Sequence, residues 1–320
     1  MIDKETVFIL GAGASADFNF PLGVELRNEI YEKLKSPNTH SEQIAKVFVD
    51  FPTDEASDYI PTINTFAKDL YYDGDYSIDA FLERFQKKYL DIGKLAIAQT
   101  LAKYEDEAHF FDRDNWYRVL HFKMKQKANV DSYAENKVSF ITFNYDRSLE
   151  HFFYTALHSF DENIQTSQVI DIIDKIPIIH LYGQLDFLPW QSSDGRAYGA
   201  PCTNFQLRSY KKSIGIIFED VSERINSNFQ KAFELCEKAE KIYILGFGWH
   251  SKNIDRLRLT ELDPLKITGT SWGLGELEIS EIKNRFKTTK RLAPAALGER
   301  VENIELLNIR IADFMKTIQL

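Results

Sequence analysis

TVFILGAGAS, residues Thr6 to Ser15, is the stretch that decides the fold. Thr6–Leu10 is a β-branched, aromatic and aliphatic run that stops at Gly11. A few apolar residues ended by glycine read as a buried parallel strand. Downstream, Leu22, Leu26, Ile30 and Leu34 recur every four residues and mark one face of a helix. The first unit is therefore strand, glycine turn, helix. In Gly11-Ala12-Gly13-Ala14-Ser15 the first glycine permits a sharp turn and the second lets a phosphate approach the backbone, while a helix N-terminus offers free N–H groups. A plain strand-to-helix turn without a ligand fits the same residues. The acidic residue that an ordinary dinucleotide fold places about 20 positions on is missing, because the next strand lies far away.

Further strand-like runs stand at Val138–Phe143, Ile176–Leu181, Ile242–Leu245 and Ile267–Thr270, each stopped by a small or polar residue. Glu305–Asn308 reads as a last short strand before a helix beginning near Ile311. Helical patterns separate several of them, notably Ile225 to Ala239. The expected fold is α/β: a Rossmann-like parallel sheet with helices on both faces. Residues 37–132 read as a mostly helical insertion within a single domain spanning 1–320, with Ile78, Phe81, Leu82 and Phe85 on one helical face and Ser77 as its N-cap.

Ligands of such sheets bind at the strand ends, so the residues there are the candidates. Ile141-Thr142-Phe143-Asn144-Tyr145-Asp146 puts an amide and a carboxylate at a strand mouth. Asn144 can orient a water or meet a ribose oxygen, and Asp146 can hold a hydroxyl or fix the loop. An Asx turn uses the same residues for backbone bonds. His180 and Tyr182, just before Gly183, share one face if the strand period continues; a core histidine is the alternative. Gly246-Phe247-Gly248, followed by His250, Asn253 and Asp255, allows a second close backbone approach to a ligand. Ser271 and Trp272 end another strand with a hydroxyl and a ring suited to a nucleoside.

Together these motifs resemble the sirtuin-like superfamily of NAD-binding proteins. Gly11–Ser15 with Pro21 downstream looks like its GAG-x-S…P segment, and Asn144-Tyr145-Asp146 like its N-(Y/I)-D segment. His180–Gly183 looks like its HG segment, and Gly246–Gly248 like its late glycine turn. The likeness covers Thr6–Ser15, Val138–Glu150, Ile176–Leu185 and Ile242–Gly273, in the family's order. The helical stretch between the first two motifs is similar to the bacterial branch found in anti-phage defence systems, whose members degrade NAD.

The resemblance implies an NAD hydrolase that releases nicotinamide and ADP-ribose as a triggered, NAD-depleting effector of antiviral defence (abortive infection). Asn144 would position the water or the ribose hydroxyls, with Asp146 beside it, and His180 would act as general base or ribose partner. Gly11, Ala12, Gly13, Ala14 and Ser15 would hold the pyrophosphate, while Gly246, Phe247 and Ser271 would hold the adenosine half. Gly183, Gly248 and Asn253 complete the implied NAD-contacting set. An activating partner protein or nucleotide signal, and a homo-oligomer or hetero-complex, are implied as the control. A sensor that binds NAD or an ADP-ribose derivative without turnover is the alternative. Tyr182, standing where the family has its histidine, favours that alternative or else takes the histidine's role.

Two cysteines, Cys202 and Cys236, cannot build the two-pair zinc module of sirtuin deacylases or a disulfide framework. No metal is expected, and the reducing cytoplasm is the expected compartment. The N-terminus enters a strand run at once, with no signal-peptide pattern. No apolar run reaches the ~18 residues of a membrane span. With 39 basic against 48 acidic residues the net charge is −9, which disfavours direct nucleic-acid binding. Hydrophobic residues at 44% and 24 Phe with 15 Tyr provide for a large, ring-rich core.

Overall fold

The computed structural model describes residues 1–49, 56–74, 77–111, 115–217, 223–291 and 299–320. Its strands are β1 (Thr6–Leu10), β2 (Val138–Thr142), β3 (Ile178–His180), β4 (Lys241–Leu245), β5 (Ile267–Thr270), β6 (Thr288–Arg291), β7 (Glu299–Glu302) and β8 (Glu305–Leu307). Six of them form one sheet in the order β3-β2-β1-β4-β5-β8, every neighbouring pair parallel. β6 and β7 form a separate antiparallel pair that the sequence patterns do not announce.

Alternation along β1 gives the sheet its two cores. Phe8 and Leu10 face one way and pack with Phe140, Tyr243 and Leu245. Val7 and Ile9 face the other way with Ile141, Ile242 and Ile244. Helices cover both faces. On the first lie α1 (Gly23–Leu34), α2 (Thr39–Ala45), α3 (Ile60–Tyr72), α4 (Ile78–Arg84), α5 (Gln86–Leu101), α6 (Ala108–Phe111), α7 (Trp116–Lys125), α8 (Ser148–His158), α9 (Thr166–Asp174) and α10 (Asn204–Ser213). The second is covered by α11 (Glu223–Lys238), α12 (Ser251–Arg256) and α13 (Glu276–Phe286). The terminal α14 (Ile311–Thr317) returns to the first face. Among the described residues between β1 and β2 there is no strand, as the mixed charged and aromatic pattern predicts, and Ser77 caps α4 by accepting from the Ala80 amide at 3.2 Å.

Two expectations need correction. The glycine turn does not open a regular α-helix: Ala12–Phe18 is a 3-10 helix, Asn19 closes it in the left-handed region, and α1 starts only at Gly23. β3 also ends sooner than Leu181. The Leu181 amide still donates to Thr142 O at 2.9 Å, but Gly183, at φ +88°, turns the chain under α10. A Cβ on Gly183 would lie 2.0 Å from Ser213 O.

The sheet order changes direction between β1 and β4, and their end loops are pressed together. Gly11 N donates to Leu245 O and Gly13 N to Gly246 O, at 3.0 and 2.9 Å. A Cβ on Gly246 (φ +58°) would lie 2.2 Å from Ala14 N, and one on Gly13 would lie 2.8 Å from Gly246 Cα. No side chain fits between these backbones.

A second tie is ionic and buried. The Arg147 guanidinium, fully sealed from solvent, forks onto both Glu105 carboxylate oxygens at 2.9 and 2.6 Å. It also donates to Phe187 O and Arg196 O. Arg196 meets the same Glu105 carboxylate at 2.8 Å. Glu105 belongs to the helical stretch, Arg147 to the loop after β2, and Arg196 to the loop after β3, so one cluster joins all three.

Two stability tests follow from these ties. Gly246→Ala should cost on the order of 3 kcal/mol or more in denaturant unfolding, since backbone must move. Gly248→Ala, with open space around it, should stay within about 0.5 kcal/mol. Equal midpoints for the two variants would show that the glycine contact is not tight. Glu105→Gln should cost about 3–5 kcal/mol by leaving buried guanidinium charge uncompensated, and an unchanged unfolding curve would refute that role.

Candidate functional site

A cavity of about 440 Å³ opens at the C-terminal ends of β1, β2 and β4, at the switch point where such sheets bind ligands. Gly11, Ala12, Ser15 and Asn144 form its floor, together with Phe143 and Asp146. Phe20 and Pro21, ahead of α1, and Leu26 on α1 line it as well, as does Asp79 of the helical stretch. Tyr182, Phe247, Gly248, His250 and Asn253 close the opposite side. The walls are largely apolar, and Phe143 and Phe247 pack ring against ring at 5.0 Å.

The Asn144 amide has a definite orientation. Its Nδ2 donates to Gly11 O at 2.9 Å and to Ser15 Oγ at 3.0 Å. Gly11 O can only accept, so the amide nitrogen must face it, and Oδ1 is left as the acceptor of a residue that lines the cavity. Ser15 Oγ passes the polarity on by donating to Asp146 Oδ2 at 2.7 Å. From the other side Tyr117 OH bonds Ser148 Oγ at 2.8 Å, and Ser148 Oγ donates to Asp146 Oδ1. Burial raises the Asp146 pKa, against the pull of these serine hydrogen bonds. Asp146 is thus the anchor of a relay that ends on Asn144.

The glycine turn serves this floor differently from the expected anion cradle. The Gly11 and Gly13 amides are taken by β4-side carbonyls, and the Ala14 amide by Gly11 O. Trp116 Nε1 donates to Ala14 O at 2.7 Å, fixing the turn from α7.

His180 and Tyr182 part company once β3 has ended. His180 does not line the cavity: it sits beneath the floor, with Nδ1 2.9 Å from Asn144 O and Nε2 2.6 Å from Glu150 Oε1. Both partners are acceptors, so a doubly protonated ring satisfies both. Burial lowers the His180 pKa, but Glu150, the Asn144 carbonyl and Asp146 outweigh it, and the value is raised. Tyr182 does reach the cavity, where its OH donates to Asn253 Oδ1 at 2.9 Å and accepts from Arg256 at 3.2 Å. Burial pushes its pKa up to about 12. The expectation that both side chains leave one strand face is therefore corrected.

Other sequence candidates divide in the same way. Phe247, Gly248 and Asn253 line the cavity, and Gly246 lies beneath it as the packing glycine. Ser271 is buried elsewhere with no hydrogen-bond partner for Oγ, and Gly183 lines a separate cavity beside β3. Asp255 pairs at the surface with Arg285. Sequence patterns did not single out Asp79, Glu150, Glu105 or Arg147. Each is a charged residue in or beside a helical segment, and nothing local distinguishes it from a solvated one.

The His180–Glu150 pair sets a pH dependence. A raised pKa in the folded state makes its stability contribution complete below about 6.5 and lost as pH rises through the raised value. The stability gap between the natural chain and Glu150→Gln should then be widest near pH ~6 and shrink at higher pH. A gap that widens with pH would contradict the pairing.

No family model and no curated protein matches the chain. Among solved structures it is similar to Sir2 bound to the inhibitor EX-527, 2'-O-acetyl-ADP-ribose and a deacetylated p53 peptide, with 13% identity and a TM-score of 0.36 over 97% of this chain and 90% of that one. It is also similar to a Sir2 variant with deacetylated p53 peptide and 3'-O-acetyl-ADP-ribose, at 13% identity, the same coverage and a TM-score of 0.37. A third match, from work on sirtuin substrate affinity, has 13% identity and a TM-score of 0.36 over 97% and 91% of the two chains. The strand order and switch-point cavity stand on the hydrogen-bond registers of this chain alone.

Proposed function

We propose that the protein binds NAD in the switch-point cavity and hydrolyses it to nicotinamide and ADP-ribose. The observation that carries this reading is the Asn144 amide: held through Nδ2, it has Oδ1 left as an acceptor on a residue that lines a largely apolar cavity at strand ends. Nicotinamide leaves NAD as a neutral molecule and needs no proton, so the demanding species is the cationic sugar left behind. Water adds to its C1', and one proton is released. Asn144 Oδ1 accepts a hydrogen from that water or from a ribose hydroxyl and so orients it. Asp146, through Ser15, holds the amide. His180 is a positioning residue here, gripping the Asn144 carbonyl from below. Gly11, Ala12 and Ser15 give the dinucleotide a close backbone floor, and Phe247, Gly248 and Asn253 form the facing wall.

The sensor reading, binding without turnover, has one observation in its favour. Tyr182 lines the cavity but has its hydroxyl engaged with Asn253 and Arg256, and His180 lies outside the cavity, so neither of the two expected bases is placed to act there. In the hydrolase reading, free NAD turnover calls for control, which we assign to a partner protein, a nucleotide signal or self-assembly. A defence effector acting in the cytoplasm fits such control. Among the described residues, no helix is long and apolar enough to cross a membrane.

The test is incubation with NAD and detection of nicotinamide and ADP-ribose, in EDTA and in every oligomeric state obtained. Turnover should persist in EDTA, Asn144→Ala should lower it by on the order of 10²–10³ with little change in melting, and Tyr182→Phe should keep a measurable part. Binding of NAD without release of nicotinamide under any of these conditions would establish the sensor reading instead.

A further inference from the structure

One charged side chain of the cavity has no task in that scheme. Asp79, on the first turn of α4, lines the cavity from the helical stretch. The residue is half-buried, and its Oδ1 is sealed from solvent with no hydrogen-bond partner. The Ile217 amide bonds the carboxyl, and among the described residues no cation contributes to its electrostatic surroundings. Burial raises its pKa to about 6, so its charged form stands in a desolvated place that disfavours it. Tyr182, whose own pKa is pushed further up by Asp79, lines the same cavity, as do Phe20, Phe143 and Phe247.

An unneutralised carboxylate in apolar surroundings is costly unless a cation arrives to meet it. Aromatic faces around the same space also favour a cation, and a flat one above all. NAD has a single cationic part, the oxidised nicotinamide ring, and reduction to NADH removes that charge while leaving the rest of the molecule nearly unchanged. We infer that Asp79 is the specificity-determining residue of the cavity: its carboxylate receives the cationic nicotinamide ring and makes the protein prefer the oxidised dinucleotide to the reduced one. The inference rests on the NAD reading above and assigns the ring's side of the cavity to the helical stretch, with Asn144 on the sugar side.

The experiment is equilibrium binding of three probes to the full chain. The first is carba-NAD, which keeps the cationic ring but has a methylene in place of the ribose ring oxygen and resists cleavage. NADH and ADP-ribose are the other two. The natural chain should bind carba-NAD at least about tenfold more tightly than NADH. Asp79→Asn, which is isosteric and retains an acceptor for the Ile217 amide, should bring the two to within about twofold and leave ADP-ribose binding unchanged. Asp79→Glu should keep most of the preference, which separates loss of charge from loss of fold. If all probes bind and Asp79→Asn leaves the carba-NAD to NADH ratio intact, the assignment of Asp79 is overturned while the NAD reading survives. Equal binding of carba-NAD and NADH by the natural chain overturns it too. Binding of none of the three overturns both.

Discussion

Everything at the strand ends depends on how closely the β1 and β4 loops approach each other. With Gly11 and Gly13 on one side and Gly246 on the other, the backbones touch, and two amide–carbonyl bonds fasten them. A Cβ at any of the three positions would separate the loops by more than the contact tolerates. Separation would drop the floor under Asn144, because its Nδ2 is held by Gly11 O, the carbonyl of the same turn. Glycine here lets two backbones touch where any side chain would hold them apart.

That constraint also shows why the expected phosphate cradle is only partly present. Amides of a glycine turn can hold an anion when they are free, and here those of Gly11, Gly13 and Ala14 are engaged within the protein. The same residue spacing supports both uses, and no local pattern in the turn tells them apart. The deciding partner, Gly246, lies more than two hundred residues away.

The sheet was legible because each strand is a short apolar run ended by a small or polar residue, and buried parallel strands allow little else. β1, β4 and β5 stand within a residue of the runs read for them, while β2 and β3 close one residue before theirs do. Asn144 and the glycines were legible as strand-end residues. His180 was not, because its fate turns on where β3 stops, and Gly183 with α10 decides that. Asp79 was hidden for a related reason: at the start of an amphipathic helix an aspartate ordinarily faces water, and only the tertiary placement of α4 over the strand ends takes this one out of solvent.

The Glu105–Arg147 fork has a consequence for which parts of this chain can be separated from one another. Arg147 follows directly on Asp146 in the loop beneath the cavity, yet its counter-charge is supplied by the stretch inserted between β1 and β2. Without that stretch Arg147 would be entombed with no carboxylate opposite it. The loop after β2 therefore draws its charge balance from the helical stretch, and the two are separable only if Arg147 is replaced as well.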